Sequence, residues 1–104
     1  MHRRDVFERD RYRCVYCGQV FDVVDLTVDH VQPRVSQGDA SGGNLVTACR
    51  VCNTRKGSHR LAEFLASDNT ARENFFRYAV AVWPRHLRAL ERELRVTPAS
   101  SDAD

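Results

Sequence analysis

Apolar and polar positions alternate in two places along the chain, and each place predicts a short β-strand. Residues 26–31 run Leu-Thr-Val-Asp-His-Val, so every second side chain suits one face of a strand, and Pro33 ends the run. Residues 45–48 form a second run of strand length, and residues 20–24 also have the composition of an extended segment. Between the two strands, the glycine-rich residues 34–44 predict a loop.

Helix signals lie on both sides of these strands. Asp5, followed three residues later by Glu8, has the form of a capping box and predicts a short helix over residues 5–11. The second strand leads into a predicted helix over residues 49–56, and Gly57 provides its end. The predicted order at the centre of the chain is therefore strand, loop, strand, helix.

Residues 61–96 carry most of the apolar mass, and their large side chains recur at the three- and four-residue spacing of helices. Thr70 begins a second capping box, and Pro84 is placed to end one helix or open the next. We expect one stripe to pack as core over the cysteine-containing region: Phe75, Phe76, Ala79, Val80 and Trp83. The small, polar residues 97–104 predict a disordered tail.

The composition is that of one small domain. The chain has 104 residues, of which 42% are hydrophobic and 29% are charged, so we expect a single domain over residues 1–96. The net charge is only +2, but residues 1–60 hold ten Lys and Arg against seven Asp and Glu. This local excess gives mild support to a nucleic-acid partner. No apolar run has the form of a secretory signal or a membrane span, so we expect a cytoplasmic protein without a membrane partner.

Four cysteines form two Cys-x-x-Cys pairs, Cys14 with Cys17 and Cys49 with Cys52. Tetrahedral zinc prefers four soft ligands, and each pair presents two thiolates on one tight turn. The alternatives are two disulfides or redox-active thiols, but a cytosolic location and the lack of a βαβ pattern favour metal. The sequence therefore predicts a structural Zn site that stabilises a segment with few large apolar residues.

The dipeptide Asp29-His30 lies between the cysteine pairs and has the chemistry that phosphodiester hydrolysis needs. An unperturbed histidine has a pKa of about 6.5, so its neutral form can take a proton from water. A carboxylate can hold a hard divalent cation. Neighbouring residues of a regular strand point to opposite faces, so these two side chains share one cavity only at a strand end or a bulge.

Several motifs, in this order, resemble the HNH endonucleases. The resemblance covers residues 9–60 and rests on four stretches: Arg13-Cys14-Val-Tyr-Cys17-Gly18, Asp29-His30-Val-Gln-Pro33, Gly42-Gly43-Asn44-Leu45 and Cys49-Arg-Val-Cys52-Asn53-Thr-Arg-Lys56-Gly57. It implies an α+β fold of the ββα-metal (HNH or treble-clef-like) type, in which a hairpin packs on a helix. Residues 61–96 would be a helical extension of that core.

The resemblance also implies a role for each site residue. His30 would be the general base, Asp29 and Asn53 the ligands of one catalytic divalent cation, and Asn44 the residue that orients the loop around His30. The four cysteines would hold the structural zinc. The family often has histidine at the position of Asn53, and an amide oxygen favours Mg or Mn there. His59, six residues further on, is an alternative ligand.

Three cations follow the predicted metal-binding helix closely, Arg55, Lys56 and Arg60. We expect them to contact nucleic-acid phosphates, and the alternative is a solvated helix end whose cations complement the helix dipole. The expected substrate is double-stranded DNA, and the choice between monomer and homodimer stays open. Two rival functions are a non-catalytic zinc-binding nucleic-acid module and an interaction module whose C-terminal helices dock a larger partner.

Overall fold

The computed structural model describes residues 1–33 and 41–96. The predicted tail and most of the predicted loop over residues 34–44 lie outside the described residues. The elements in chain order are α1 (Arg3–Arg9), β1 (Leu26–His30), β2 (Leu45–Cys49), α2 (Arg50–Lys56), α3 (Leu61–Ser67), α4 (Asn69–Tyr78) and α5 (Pro84–Val96). Short 3₁₀ turns, Val23–Asp25 and Gly42–Asn44, precede the two strands. The fold is α+β, as predicted.

The centre of the fold is a two-stranded antiparallel sheet made by β1 and β2. The pairing runs without interruption from Leu26 opposite Cys49 to His30 opposite Leu45. Every residue of β2 is buried, and its outer edge is also occupied, because the Val15 amide donates to the Thr47 carbonyl at 3.0 Å. Both predicted strands are confirmed, and the hydrogen bond from Val15 to Thr47 places the turn of the first cysteine pair beside the strand that ends at Cys49.

The helix that follows the hairpin begins and ends for local reasons. Cys49 is its N-cap residue, and the Cys49 thiol accepts a hydrogen bond from the Cys52 amide at 3.4 Å. Gly57 ends α2 with φ at +56°, a backbone conformation that favours glycine. The predicted helix over residues 49–56 is therefore confirmed to within one residue.

Two predictions for the first 25 residues are wrong. Residues 20–24 do not form a strand: Val20 makes one isolated bridge to Arg13, and Val23 begins a 3₁₀ turn. The first helix begins two residues earlier than expected, because Asp5 is not its cap but accepts a hydrogen bond from the His2 amide at 3.4 Å. Apolar composition alone did not distinguish an exposed turn from a strand.

The C-terminal helices are present, but one start and part of the predicted core stripe are wrong. Asp68, not Thr70, caps α4, because its carboxylate accepts a hydrogen bond from the Ala71 amide at 3.0 Å. Since α4 ends at Tyr78, the helical periodicity does not reach Val80 and Trp83, which are exposed by 79% and 40%. Phe76 lies within α4 but is also exposed, by 37%. Pro84 opens α5, as predicted.

The remaining stripe residues join one hydrophobic core that extends from α1 to α5. At its centre the ring of Tyr16 meets Phe64 edge-on, with centroids 5.4 Å apart, and stacks on Phe75 at 6.1 Å. Such aromatic pairs stabilise a fold by about 0.5–1.5 kcal/mol beyond their buried area. The C-terminal helices therefore pack directly on the turn that carries the first cysteine pair. Among the described residues, no helix has the length and apolar character needed to cross a membrane.

Candidate active site and metal centre

The four cysteines converge on one point of the fold. The turn after α1 supplies Cys14 and Cys17, the end of β2 supplies Cys49, and α2 supplies Cys52. Their sulfur atoms all lie within 4.8 Å of one another, and none of the cysteines is in a disulfide. Four converging thiols are the donor set of a closed tetrahedral zinc site. The cluster fits a metal such as zinc, as predicted, and the four cysteines are free thiols.

The thiols of this cluster differ in their readiness to ionise. Burial raises the pKa of Cys14 to about 11, and burial together with the neighbouring thiols also raises the pKa of Cys52. Burial acts in the same direction on Cys49, but hydrogen bonds from the other three cysteines outweigh it and lower its pKa. A metal ion must therefore displace protons to bind, and the neighbouring thiols share the resulting negative charge.

Asp29 lies near the end of β1 and is held by three partners. The Tyr16 hydroxyl donates to one carboxylate oxygen at 2.6 Å, and the His30 amide donates to the other at 3.0 Å. The Lys56 ammonium lies 3.0 Å from Oδ1 of Asp29 and 2.9 Å from Oδ2. Both side chains of this ion pair are about nine-tenths buried. The carboxylate is therefore fixed in place and points towards α2.

Tyr16 connects this carboxylate to the cysteine cluster. It lies between Cys14 and Cys17 in the chain, and it is almost completely buried. Burial, followed by the negative charge of Asp29, raises the pKa of Tyr16 well above its ordinary value. The hydroxyl therefore stays protonated and acts as a donor to Asp29. Folding of the cysteine turn and placement of the candidate metal ligand are thus coupled through one side chain.

His30 is the last residue of β1, directly opposite Leu45. Its Nε2 atom is buried and has no hydrogen-bond partner among the residues that the structure describes. A buried polar atom without a partner is uncommon and is often found where a water, an ion or a substrate binds. Because the β1–β2 pairing is regular up to His30, the side chains of Asp29 and His30 leave the strand on opposite faces.

Asn44 is fully buried and fixes the segment that follows β1. Its side-chain oxygen accepts from the Gln32 amide at 2.8 Å, and its side-chain nitrogen donates to the Gln32 carbonyl at 2.9 Å. In addition, the Val31 amide donates to the Asn44 carbonyl at 2.9 Å. Asn44 thereby holds both residues that follow His30. The prediction that Asn44 orients this loop fits its geometry, and its catalytic role stays a prediction.

Asn53 and His59, the two alternative metal ligands, lie on either side of the end of α2. Asn53 is half-buried on α2, one helical turn before Lys56, so it shares the face of the helix that meets Asp29. His59 lies beyond the end of α2, and its Nδ1 is 3.1 Å from the Lys56 carbonyl. It lines a separate cleft with Arg55 and Asp68. Asn53 is thus the better placed of the two candidate ligands.

The three cations predicted to bind phosphate all form ion pairs within the protein. Arg55 pairs with Asp68, and its guanidinium also lies over the ring of Phe64, 5.6 Å from the centroid. Arg60 pairs with Glu93 of α5. The partner of Lys56 is Asp29. Phosphate contact by these three side chains stays a prediction, but each would first have to release a carboxylate.

Two residues of the site were not assigned to it from the sequence. Tyr16 was treated only as part of a Cys-x-x-Cys turn, and Lys56 was assigned to phosphate binding instead of to Asp29. The spacing carried a partial signal for Lys56, because residues three apart on a helix share a face and Asn53 was already a candidate ligand. Nothing in the local sequence pairs Tyr16 with a carboxylate 13 residues away.

One known protein family matches the part of the chain that carries this site. The family model of the HNH endonucleases matches residues 14–59, a segment that contains the cysteine cluster, Asp29, His30, Asn44 and Asn53. Residues 14–59 are therefore similar to the HNH endonucleases. The α1 helix and all three C-terminal helices lie outside the matched segment.

One curated relative supports the same assignment. A stretch of 52 residues, 49% of the chain, is 36% identical to the CRISPR-associated endonuclease Cas9 of Corynebacterium diphtheriae. The match covers 5% of the length of that Cas9 protein, so the likeness concerns one small region of a much larger enzyme. The HNH family and this relative together support a nuclease or nucleic-acid-related function for the chain.

Proposed function

We propose that this protein is a metal-dependent endonuclease that hydrolyses phosphodiester bonds of double-stranded DNA. The observation that carries the proposal is the buried Nε2 of His30, which lies at the end of β1 and has no hydrogen-bond partner among the described residues. A neutral imidazole nitrogen in this position can accept a proton from an attacking water. The family of residues 14–59 supports the same class of reaction.

Each candidate residue has a distinct task in the proposed reaction. His30 accepts the proton, and Asn44 keeps the following backbone in place so that the imidazole is held in one orientation. The oxygen atoms of Asp29 and Asn53 suit a hard cation such as Mg²⁺ or Mn²⁺. When bound, that cation would supply positive charge to the phosphate and its leaving oxygen. Because Asp29 and His30 leave β1 on opposite faces, the phosphodiester would lie across the end of the strand.

The cysteine cluster has a structural task in this proposal. A four-thiolate zinc site has no open position for water, so it is suited to holding a fold and not to hydrolysis. Tyr16 connects the folded cysteine turn to Asp29, because its hydroxyl donates a 2.6 Å hydrogen bond to that carboxylate. The two metal centres are therefore separate in chemistry, with soft sulfur ligands at one and oxygen ligands at the other.

The proposal is tested by a plasmid-nicking assay on zinc-loaded protein with Mg²⁺ or Mn²⁺. The His30→Ala variant is compared with wild type and with His2→Ala, which removes an exposed imidazole far from the end of β1 along the chain. His59→Ala is a further arm that tests the alternative ligand. Zinc content and circular dichroism are measured for every variant, so that a misfolded protein is recognised.

We expect supercoiled plasmid to become open or linear only when divalent cation is present. We also expect cleavage to fall by a factor of about 10²–10⁴ in His30→Ala, the range typical of a lost general base, and to persist in His2→Ala. Folded, zinc-loaded wild type that cleaves no DNA with either cation would contradict the proposal. Equal cleavage by His30→Ala and wild type would remove His30 from the base role.

A second candidate function is a non-catalytic zinc-binding module that binds nucleic acid. It is favoured by one specific observation, the engagement of Asp29 by Tyr16, Lys56 and the His30 amide. If Asp29 serves only to hold these groups together, the protein binds DNA at any divalent cation concentration without cutting it. The same assay, combined with a binding measurement, therefore separates the two functions.

A further inference from the structure

An arginine-lined cleft lies on the side of the molecule where α1 meets the end of α4. Its volume is about 270 Å³. The side chains that matter for its chemistry are Arg9, Asp10, Arg11, Arg13, Arg77 and Tyr78. The first four residues come from the end of α1 and the turn after it, whereas the last two belong to the final turn of α4. Positive charge from two distant parts of the sequence therefore meets at one place.

The charge of this cleft is only partly neutralised within the protein. Arg9 pairs with Asp10, and the second oxygen of Asp10 also accepts from the Thr47 amide at 3.0 Å. Arg11, Arg13 and Arg77 have no acidic partner within residues 1–33 and 41–96. Among the described residues, three guanidinium groups that line one cleft therefore have no opposite charge paired with them, and Arg13 has only the Gly18 carbonyl as an acceptor. An anion bound in the cleft would relieve their mutual repulsion.

The cleft is also held in shape before any ligand arrives. The ring of Tyr78 lies beneath two guanidinium groups, with Arg13 at 5.0 Å and Arg77 at 5.9 Å from its centroid. Arg11 and Tyr12 follow one another with φ near +59° and +58°, an uncommon conformation for residues other than glycine. Such backbone strain occurs preferentially at ligand clamps and other functional positions. Here it ends α1 and places Arg11 at the cleft.

We propose that this arginine cleft binds the phosphate backbone of the DNA substrate, a proposal that rests on the function proposed above. Guanidinium groups present planar pairs of donors that match phosphate oxygens, and they keep their charge at every physiological pH. The contrast with Arg55, Lys56 and Arg60 supports the assignment, because all three of those cations already have carboxylate partners. The arginines of this cleft are therefore more readily available to phosphates than the three cations at and after the end of α2.

The cleft adjoins the same end of the hairpin as His30. The Arg9 guanidinium donates to the Leu45 carbonyl and to the Gly42 carbonyl, each at 2.7 Å. Leu45 is the residue opposite His30 in the sheet, and neighbouring strands lie about 4.8 Å apart. A strand of DNA that reaches the end of β1 therefore passes beside Arg9, and its neighbouring phosphates come within reach of the other three arginines.

The experiment is a fluorescence-anisotropy titration of a labelled duplex with zinc-loaded protein, without Mg²⁺ or Mn²⁺ so that no cleavage occurs. The test variant is the double substitution Arg11→Gln with Arg77→Gln. The matched control is Arg88→Gln with Arg92→Gln, which removes two exposed charges from α5 and leaves the cleft intact. Each single variant of the cleft is measured as well, and Kd is determined over a range of salt concentrations.

We expect the cleft variant to weaken binding by a factor of about 10 or more, since each lost contact is a hydrogen bond between charged groups. The slope of log Kd against log salt concentration should fall by about two, which corresponds to two lost phosphate contacts. The control should change both quantities far less. Equal weakening by both double variants, or no weakening by the cleft variant, would overturn the proposal.

The outcome for this cleft is separable from the outcome for the nuclease. Binding that depends on Arg11 and Arg77, in a protein that never cuts DNA, would support the cleft and reject the proposed reaction. Cleavage that depends on His30, with binding unchanged in the cleft variant, would support the reaction and reject the cleft. Wild-type protein with no measurable affinity for the duplex would reject the cleft proposal outright.

Discussion

The ammonium group of Lys56 bridges the two carboxylate oxygens of Asp29, at 2.9 Å and 3.0 Å. With the Tyr16 hydroxyl and the His30 amide, the carboxylate receives four hydrogen-bond contacts. An ionised carboxylate offers about four lone-pair positions, so a divalent cation can reach Asp29 only by displacing a donor. Lys56 is the donor that carries a competing positive charge. Lys56 is therefore expected to be an internal competitor for the candidate metal ligand.

The first prediction concerns the removal of this competitor. In Lys56→Met, we expect zinc-loaded protein to bind Mn²⁺ roughly tenfold or more tightly, because a nearby positive charge is removed from the site. Without Mn²⁺, the variant should be less stable by about 1–3 kcal/mol, since Asp29 loses a buried partner. Electron paramagnetic resonance of free Mn²⁺ measures the affinity, and urea unfolding measures the stability.

Arg55→Met is the control for Lys56→Met, because it removes one charge from the same helix without touching Asp29. An equal gain in Mn²⁺ affinity for both variants would mean that only overall charge matters. Weaker Mn²⁺ binding by Lys56→Met would show instead that Lys56 positions Asp29 for the cation. Either result would refute competition at the carboxylate.

The second prediction concerns the paired hydrogen bonds between Asn44 and Gln32. In Asn44→Asp, a carboxylate oxygen replaces the nitrogen that now donates to the Gln32 carbonyl, so two oxygens would face each other in a buried site. A protonated aspartic acid can still donate there. Because the ionised form is disfavoured, the folded-state pKa of the new carboxyl lies above its unfolded value of about 3.9.

The sign of the pH dependence follows from that difference. Asn44→Asp should lose stability relative to wild type as pH rises above the unfolded pKa, by up to about 1.4 kcal/mol per pH unit, until the folded-state pKa is passed. Urea unfolding of both proteins at pH 5.5 and pH 8 tests this expectation. A stability deficit that is the same at both pH values would contradict the assigned roles of the two side-chain atoms.

The hairpin and α2 could be predicted because their signals are local. Leu26 and Val28 alternate with polar residues, and Gly57 stands where the helix must end. The segment from Val20 to Val24 was misjudged for an equally physical reason. Apolar composition is shared by buried strands and exposed turns, and only the tertiary fold decides that Val24 is 70% exposed.

The partners of the site residues could not be predicted in the same way. Arg60 pairs with Glu93 across 33 residues of sequence, and Arg55 pairs with Asp68 across 13. Such pairs depend on how the helices pack on one another, which no local pattern encodes. The residue types of the site were therefore predictable from motif spacing. Which of the charged side chains already have an ion-pair partner within the protein was not.

The third prediction concerns the cysteine cluster. Removing zinc with a strong chelator should abolish cooperative unfolding of the whole described fold, because structural zinc contributes about 10–16 kcal/mol in small zinc peptides and a typical domain is stable by only about 5–15 kcal/mol. Circular dichroism during chelation and after zinc is restored measures the change. Retention of the same melting temperature in chelated, zinc-free protein would show that the cluster is not a structural metal site.

The fourth prediction concerns the close approach of Trp83 to Gly43. A Cβ atom on Gly43 would overlap the indole ring of Trp83, closer than real Cβ contacts allow. The Trp83 amide also donates to the Gly43 carbonyl at 2.8 Å, so the backbone cannot easily withdraw. We expect Gly43→Ala to cost about 1–3 kcal/mol, as overpacking does. Because the chain has one tryptophan, its fluorescence reports the displacement directly.

Gly42→Ala is the matched control for that change, since a Cβ there would meet the sulfur of Met1 at the end of a flexible side chain. It should leave stability and fluorescence nearly unchanged. A double-mutant cycle with Trp83→Leu completes the test, because removing the indole should relieve most of the cost of Gly43→Ala. Additive costs in the cycle would mean that Gly43 is required for its backbone alone. Coupling would establish that the segment before α5 holds the turn that positions Asn44.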